Sequence, residues 1–379
     1  MKTGSFHRPL QGNPIRRLSL IESKLHLDPY MFTAITIVSF MGLVILYSAG
    51  KHSPSIVTRQ ILSLLFAYFV MLVVAQFPIS SLKRWTPWIF LTGTALLICV
   101  LLFGRISNGA QRWIDLKLFR FQPSEIMKIA VPMMVSWFFS RIKLPPGFLS
   151  VITSIIIIII PTILIAKQPD LGTSLLIASS GFFVIYFAGI SWLYILAGAL
   201  LSLPAGYIMW NFIMHDYQKR RVLTLIDPHL DPHNAGYHIN QSEIAIGSGG
   251  IFGKGWLNGT QSQLDFLPER STDFIFSAFS EEFGFVGIVL LLIFYYFIIV
   301  RGLYIATQAQ DTYSRLLAGS IALTFFVYIF VNIGMVSGLL PVVGLPLPLI
   351  SRGGTSIVTI MATFGILMSI HTHRRLYSS

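Results

Sequence analysis

The sequence predicts an all-α integral membrane protein of about ten transmembrane helices, and three observations predict it. Across 379 residues the chain is 54% hydrophobic and only 11% charged, too apolar for a soluble domain of that size. Apolar runs of roughly twenty residues recur along nearly the whole chain, each long enough to cross a hydrocarbon core of about 30 Å as a helix. Lys and Arg collect in alternate segments between those runs, as expected of cytoplasmic loops.

Residues 1–29 are polar and basic, and no small-residue cleavage pattern precedes the first run, so they read as a cytoplasmic segment ahead of a signal anchor. The runs then place spans near 30–49, 57–77, 87–104, 122–140, 148–166, 172–188, 191–214, 273–300, 316–338 and 349–370. They form one polytopic domain over residues 30–371, followed by a cytoplasmic tail, 372–379. Orientation follows from Arg8, Arg16, Arg17 and Lys24 before the first span, then Lys83 and Arg84, Arg141 and Lys143, Arg301 and Arg315, and Arg374 and Arg375. Both termini are expected in the cytoplasm, which an even number of crossings satisfies. The prolines Pro161 and Pro204 fall inside spans and should kink or break them.

Several function classes drop out. The net charge of +12 suggests nucleic acid, but the cations are spread between spans and no basic module with interleaved aromatics exists. The single cysteine, Cys99, permits no intramolecular disulfide and lies in an apolar run, where packing is its expected role. Absence of an internal repeat weakens a transporter of inverted halves.

Charge on the outer side is more telling. Of fifteen acidic residues only Glu22, Asp28 and Asp311 fall on the cytoplasmic side. The segment from Arg105 to Arg120, with Arg112 and Lys117, is outward yet basic, which calls either for an anionic ligand or for contact with anionic headgroups. Between the seventh and eighth spans an outer loop, about 215–272, far exceeds usual loop length and is expected to be functional. It carries Lys219, Arg220 and Arg221, an acidic and histidine-bearing stretch from Asp227 to His233, the glycine-rich Gly247 to Gly255, and the polar Thr260 to Arg270.

Four constellations can carry chemistry. At the outer start of the fourth span stand Gln122, Pro123, Ser124, Glu125 and Lys128. Pro123 suits a first helical turn, and Glu125 and Lys128, three apart, share a face. A charge at membrane depth needs a partner or a wet cavity, so the pair is either architectural or, with Arg112, a binding site for phosphate. The entry to the eighth span, Pro268 through Phe276, offers Ser271, Thr272 or Asp273 as a helix cap, or Asp273 as a working carboxylate. Helical spacing puts Ser277, Ser280 and Gly284 on the face of Asp273, a small polar stripe with room for a substrate, and turns Glu282 towards another helix. Asp170, in the segment Gln168 to Thr173, reads as a turn or cap residue or as part of the site. Finally, Asn332 through Gly354 is too rich in proline and glycine for an ordinary helix, so its backbone must line protein or water.

Other signals are weaker. The glycines of Gly249 to Gly255 lack the spacing and the Ser or Thr of a nucleotide loop. His229, His233 and His238 with Asp227 and Asp231 match no firm zinc template. Asn258 to Thr260 is a glycosylation triplet without supporting context.

Taken in order, these motifs resemble the SEDS family of cell-wall proteins over essentially the whole chain. The resemblance is carried by Gln122 to Lys128, Gln168 to Thr173, Ala235 to Tyr237, Ala245 to Gly250, Pro268 to Phe276 with Glu281 to Gly284, and Asn332 to Gly354. Gln261 to Gln263 and His371 to Arg374 look more like the elongation branch than the division branch. It implies a SEDS-type bundle with a long extracytoplasmic loop between helices 7 and 8, in the bacterial cytoplasmic membrane. It also implies glycan polymerisation from lipid II, a lipid-diphosphate disaccharide-pentapeptide, beside a class B penicillin-binding protein. Asp273 matches the family's catalytic aspartate and is the expected general base, with Arg112 and Lys128 stabilising the departing diphosphate. Gln122, Ser124, Glu125, Asp170, Arg220, Arg221, Ser351 and Arg352 complete the expected binding set. Mg²⁺ can share the diphosphate, but no metal-ligand cage is readable. The family's usual Ser-Tyr-Gly-Gly is Ser351-Arg352-Gly353-Gly354 here, which places an extra cation near the site. A flippase for the lipid-linked precursor and a non-catalytic scaffold are the competing readings.

Overall fold

The computed structural model describes residues 26–50, 53–107, 110–115, 120–214, 219, 222–225, 235–264, 266–267 and 269–373. Arg220, Arg221, Lys117 and the stretch from Asp227 to His233 lie outside these residues.

A helix stands at each place where the apolar runs put one. These are α1 (Pro29–Ala49), α2 (Pro54–Gln76), α3 (Ile79–Phe103), α4 (Pro123–Phe139), α5 (Phe148–Ala166), α6 (Leu171–Phe187), α7 (Trp192–Ile208), α10 (Ile275–Gln308), α11 (Thr312–Val336) and α12 (Gly354–Thr372). The long segment between α7 and α10 adds α8 (Ala235–Ser248) and the single turn α9 (Thr260–Gln263). Eight helices among the described residues are long and apolar enough to cross a membrane, whereas α4 and α6 have 17 residues each. Starts follow local chemistry. Pro29 and Pro123 occupy first turns, where a missing N–H costs nothing, and Asp28, Asp170 and Asp311 cap α1, α6 and α11 through the backbone amides of Tyr30, Thr173 and Ser314.

The centre of the bundle is α11 and α12. In each, 67% of the most apolar window is buried inside the protein, against none for α7, whose leucines face outward. Lipid gives no hydrophobic drive for helix association, so close packing and interhelical hydrogen bonds hold the bundle. Ser320 donates to the Ser180 carbonyl at 2.7 Å, Tyr295 to that of Pro348 at 2.6 Å, and Ser369 to that of Phe77 at 2.6 Å. At the end of the bundle where α1 begins and α12 ends, buried Asp28 pairs with Arg301 at 2.6 Å, and the His26 and His373 rings stack at 4.1 Å.

Pro161 lies within α5 and Pro204 within α7, which gives way to a π turn at Met209–Ile213. Three features depart from the sequence reading. The basic segment after α3 is a small antiparallel sheet, β1 (Arg105–Ser107), β2 (Ala110–Asp115) and β3 (Arg120–Phe121), too short for an alternating pattern to register. Cys99 is exposed on α3 instead of packed. The sharpest break comes at Gly284 in α10, whose φ of 63° and ψ of −163° are open only to glycine. The proline-rich segment after α11 does line protein: Leu345, Leu347, Leu349 and Ile350 are all buried.

Candidate active site

Three groups of side chains meet at the start of α4, the start of α6 and the approach to α10. In the first, Asp170 accepts from Gln122 Nε2 at 3.1 Å and faces Arg112 Nη1 at 3.9 Å. Arg112, on β2, also donates from Nε to the Gln168 carbonyl at 3.1 Å and from Nη2 to the Pro169 carbonyl. The guanidinium thereby joins the sheet to the α6 entry, and it stays about one-third exposed. Asp170 is thus both a helix cap and a member of the cluster.

The second group is the pair expected from the spacing on α4. Lys128 Nζ lies 2.7 Å from Glu125 Oε1 and donates to the Tyr328 hydroxyl of α11 at 2.7 Å; both charged side chains are 8% exposed. Tyr328 in turn meets Ser356 at the start of α12 at 3.2 Å. The second oxygen of Glu125 is buried with no hydrogen-bond partner among the described residues, as is Ser124 Oγ. Glu125 borders a cavity of about 790 Å³ between α2, α3, α4 and α12, walled by Phe66, Leu82, Ile89, Ile129 and Val358 and reaching Gly354 and Thr355. An apolar chamber with one carboxylate at its wall suits a long lipid chain whose polar head stops near Glu125.

Asp273 belongs to the third group. Its backbone carbonyl accepts from Asn332 Nδ2 at 3.0 Å, and the same amide donates to the Leu345 carbonyl at 2.6 Å. A Cβ on Gly344, which has φ +73°, would lie 3.4 Å from Asp273 Oδ2. Ser351 Oγ donates to the Thr272 carbonyl at 2.6 Å and accepts from Leu347 N–H at 2.7 Å, and Arg352 N–H donates to the Ser271 carbonyl at 2.9 Å. The loop before α12 therefore clasps the strand of chain carrying Asp273.

These groups are neighbours. Tyr328 and Asn332 are one turn apart on the same face of α11, a rise of about 6 Å, so Lys128 and Asp273 are tethered at successive levels of one helix. Val343 and Leu345 press on Gly172 of α6, where a Cβ would come within 3.0 Å of the Val343 carbonyl, which joins the Asp170 group to the Asp273 group.

Some expectations are corrected. The N-cap position of α10 falls to Phe274, one residue after Asp273. The stripe Ser277, Ser280 and Gly284 offers no room, being fully packed: Ser277 and Ser280 are 0% exposed and Gly249 sits on the Ser280 carbonyl. Buried Ser351 spends its hydroxyl on backbone, so its part is to hold the loop, whereas the Arg352 side chain is exposed. Lys128 is committed to Glu125 and Tyr328, leaving one of its three donors. Glu282 does turn to another helix, accepting from Ser48 of α1. Among the described residues no group of three His, Cys, Asp or Glu side chains gathers as a metal site. Tyr328 escaped the sequence reading, its signal being a polar residue four before Asn332 in an apolar span, whereas Asn332 and Gly344 fall in the 332–354 constellation without a role having been assigned to either.

Comparison with known proteins converges on one family. The family model described as cell cycle protein, covering FtsW, RodA and SpoVE, matches residues 28–376. Peptidoglycan glycosyltransferase MrdB of Escherichia coli is 51% identical over 357 residues, 94% of this chain and 96% of that one. A probable peptidoglycan glycosyltransferase FtsW of Trichlorobacter lovleyi is 33% identical over 90% of this chain and 92% of its own. Among solved structures, a chain of a peptidoglycan synthase complex superposes with a TM-score of 0.81 at 27% identity, covering 92% of this chain and 99% of that one. The rod shape-determining protein RodA of Thermus thermophilus gives 0.69 at 26% identity, over 92% and 97%. A bundle of this architecture, matched over nearly its full length in sequence and in shape, is a multi-pass membrane protein that belongs to the FtsW, RodA and SpoVE family, the SEDS family.

Proposed function

We infer that this chain is a peptidoglycan glycosyltransferase of the cell-elongation machinery, which maintains rod shape by joining lipid II disaccharides into glycan strands. The observation that carries the reading is the tethering of Asp273 and of the Glu125–Lys128 pair at adjacent turns of α11, beside a lipid-sized apolar cavity.

In the reaction the acceptor sugar hydroxyl loses its proton to the Asp273 carboxylate as its oxygen attacks the anomeric carbon of the donor. The bond from that carbon to the diphosphate breaks, and undecaprenyl diphosphate departs with the electron pair. Attack opposite the leaving group inverts the α-linked donor to a β-1,4 product. Negative charge grows on the diphosphate, and Arg112, partly exposed and held by three oxygens of the α6 entry, is oriented to receive it. Lys128 supports Glu125 and adds positive potential from behind. Glu125 Oε2, with no donor among the described residues, would accept from a hydroxyl or amide of the bound head group. Arg220, Arg221 and the exposed Arg352 are further candidates for phosphate. A divalent cation, if used, would arrive on the diphosphate.

Ten crossings, both termini in the cytoplasm and a reaction centre on the outer face follow from the distribution of Lys and Arg. A class B penicillin-binding protein is the proposed partner, since a synthase complex contains the chain that superposes on this one. The test is polymerisation of defined lipid II by the purified chain, alone and with that partner. Long glycan is expected. Movement of lipid II across a bilayer without polymer would favour the flippase, and neither activity would leave the scaffold.

A further inference from the structure

The break in α10 at Gly284 opens backbone groups that a continuous helix would close. In an unbroken helix the amides of Phe285 and Val286 would bond to the carbonyls of Glu281 and Glu282. Here Phe285 and Val286 donate to the carbonyls of Gly250 and Ile251, at 2.9 and 3.0 Å. The carbonyls of Glu281 and Glu282 accept from Lys254 and Gly255, both at 3.0 Å. All four groups are thus met by one glycine-rich segment of the outer loop, laid across the break.

The fit depends on the missing side chains. Gly253 and Gly284 both have positive φ, and a Cβ on either would collide with the other's segment: on Gly253 with the Glu282 carbonyl, on Gly284 with Gly253 N. Side chains then lock the segment. Glu281, fully buried, accepts from Lys254 Nζ at 2.8 Å, Thr260 Oγ1 at 2.9 Å, and the backbone amides of Gln261 at 2.9 Å and Ser262 at 3.3 Å. Glu282 is held by Ser48 and by Leu257 N–H. The part of α10 ahead of the break is a segment of nine residues, Ile275 to Phe283, whose first eight are buried, with Asp273 just before it.

We propose that residues Gly249 to Gly255 form a backbone splint across the Gly284 break and that Glu281, by locking the splint through Lys254 and α9, is a positioning residue that fixes this segment, and with it Asp273, for glycan polymerisation. This rests on Asp273 being the base. Without the splint four backbone groups at the break would be left unpaired and the seating of this segment would shift, and a displacement of about 1 Å at a reacting group costs on the order of a hundredfold in rate.

The test combines hydrogen exchange with kinetics on the full-length chain in detergent. In the wild type, peptides spanning 250–255 and 285–286 should be protected together. Gly253→Val should speed exchange in both at least tenfold while α11 peptides stay unchanged. Glu281→Ala should lower kcat for lipid II at least tenfold, with KM within twofold and the pH profile unmoved; Glu281→Gln, which keeps one acceptor, should recover to within about threefold of wild type. Wild-type kcat in Glu281→Ala, or unchanged exchange at 285–286 in Gly253→Val, would overturn the splint. Asp273→Asn, run in parallel, separates the two ideas: its full activity removes the base and with it the purpose of positioning, whereas its inactivity beside a fully active Glu281→Ala refutes the splint alone.

Discussion

Removing the positive partner of a buried carboxylate is the harshest test of the α4 pair. Lys128 and Glu125 are 2.7 Å apart, each side chain 8% exposed, with Tyr328 as the only other contact made by the ammonium among the described residues. Lys128→Met fills similar volume but strands the carboxylate, which should cost about 3–5 kcal/mol, as when one member of a buried pair is lost. Glu125→Gln should destabilise in the same way by stranding the ammonium. The double variant Glu125→Gln, Lys128→Met carries neither charge, so its stability should return to within about 1 kcal/mol of wild type. The pair's coupling then emerges from a thermal or denaturant melt of the four proteins in one detergent. Polymerisation by the same samples should not return in the stable double variant, because the carboxylate facing the cavity is gone. A Lys128→Met protein that melts with the wild type would refute the reasoning, and an active double variant would make the pair purely architectural.

Other outcomes follow from the Asp273 clasp and the stacked His26 and His373. Asn332→Leu leaves the Asp273 and Leu345 carbonyls without their donor, and at about 1–3 kcal/mol for each stranded buried group the polymerisation rate and the melting temperature should both fall. Gly344→Ala puts a methyl 3.4 Å from Asp273 Oδ2 in a backbone region that alanine resists, so a folded but at least tenfold slower enzyme is expected in a single-turnover assay. Burial, and then the neighbouring His26, hold His373 below the ordinary histidine value. The unfolded chain then binds more protons below about pH 6.5, so stability is complete above that value and declines as pH falls towards the folded pKa. A melt series from about pH 7.5 to 5.5 should show this decline in the wild type and a flatter trend in His373→Gln.

Length and hydropathy carried the bundle, because a lipid solvent demands long apolar helices, and the ten runs fall where ten helices lie. Polar residues in apolar surroundings carried part of the site: Glu125 and Lys128 are paired as their spacing required, and Asp170 is a cap. Contacts distant in sequence were the illegible part. Nothing local announces that Asn332 reaches Asp273, that Ser351 is spent on Thr272, or that Arg112 binds the turn before α6. Helical phase misled at Ser277 and Ser280, since a small polar stripe fits a substrate and a close-packed loop equally well. The glycines from 247 to 255 lacked the pattern of a nucleotide loop, and nothing local announced that Gly249 and Gly253 permit the approach of one backbone to another near Gly284.

The central claim, that the Asp273 carboxylate takes the proton from the attacking sugar, is tested most directly by polymerisation of purified lipid II with Asp273→Asn. The substitution removes the charge and keeps the shape, so the account predicts a stable, correctly assembled protein that makes no glycan. Wild-type polymer from that variant would contradict it.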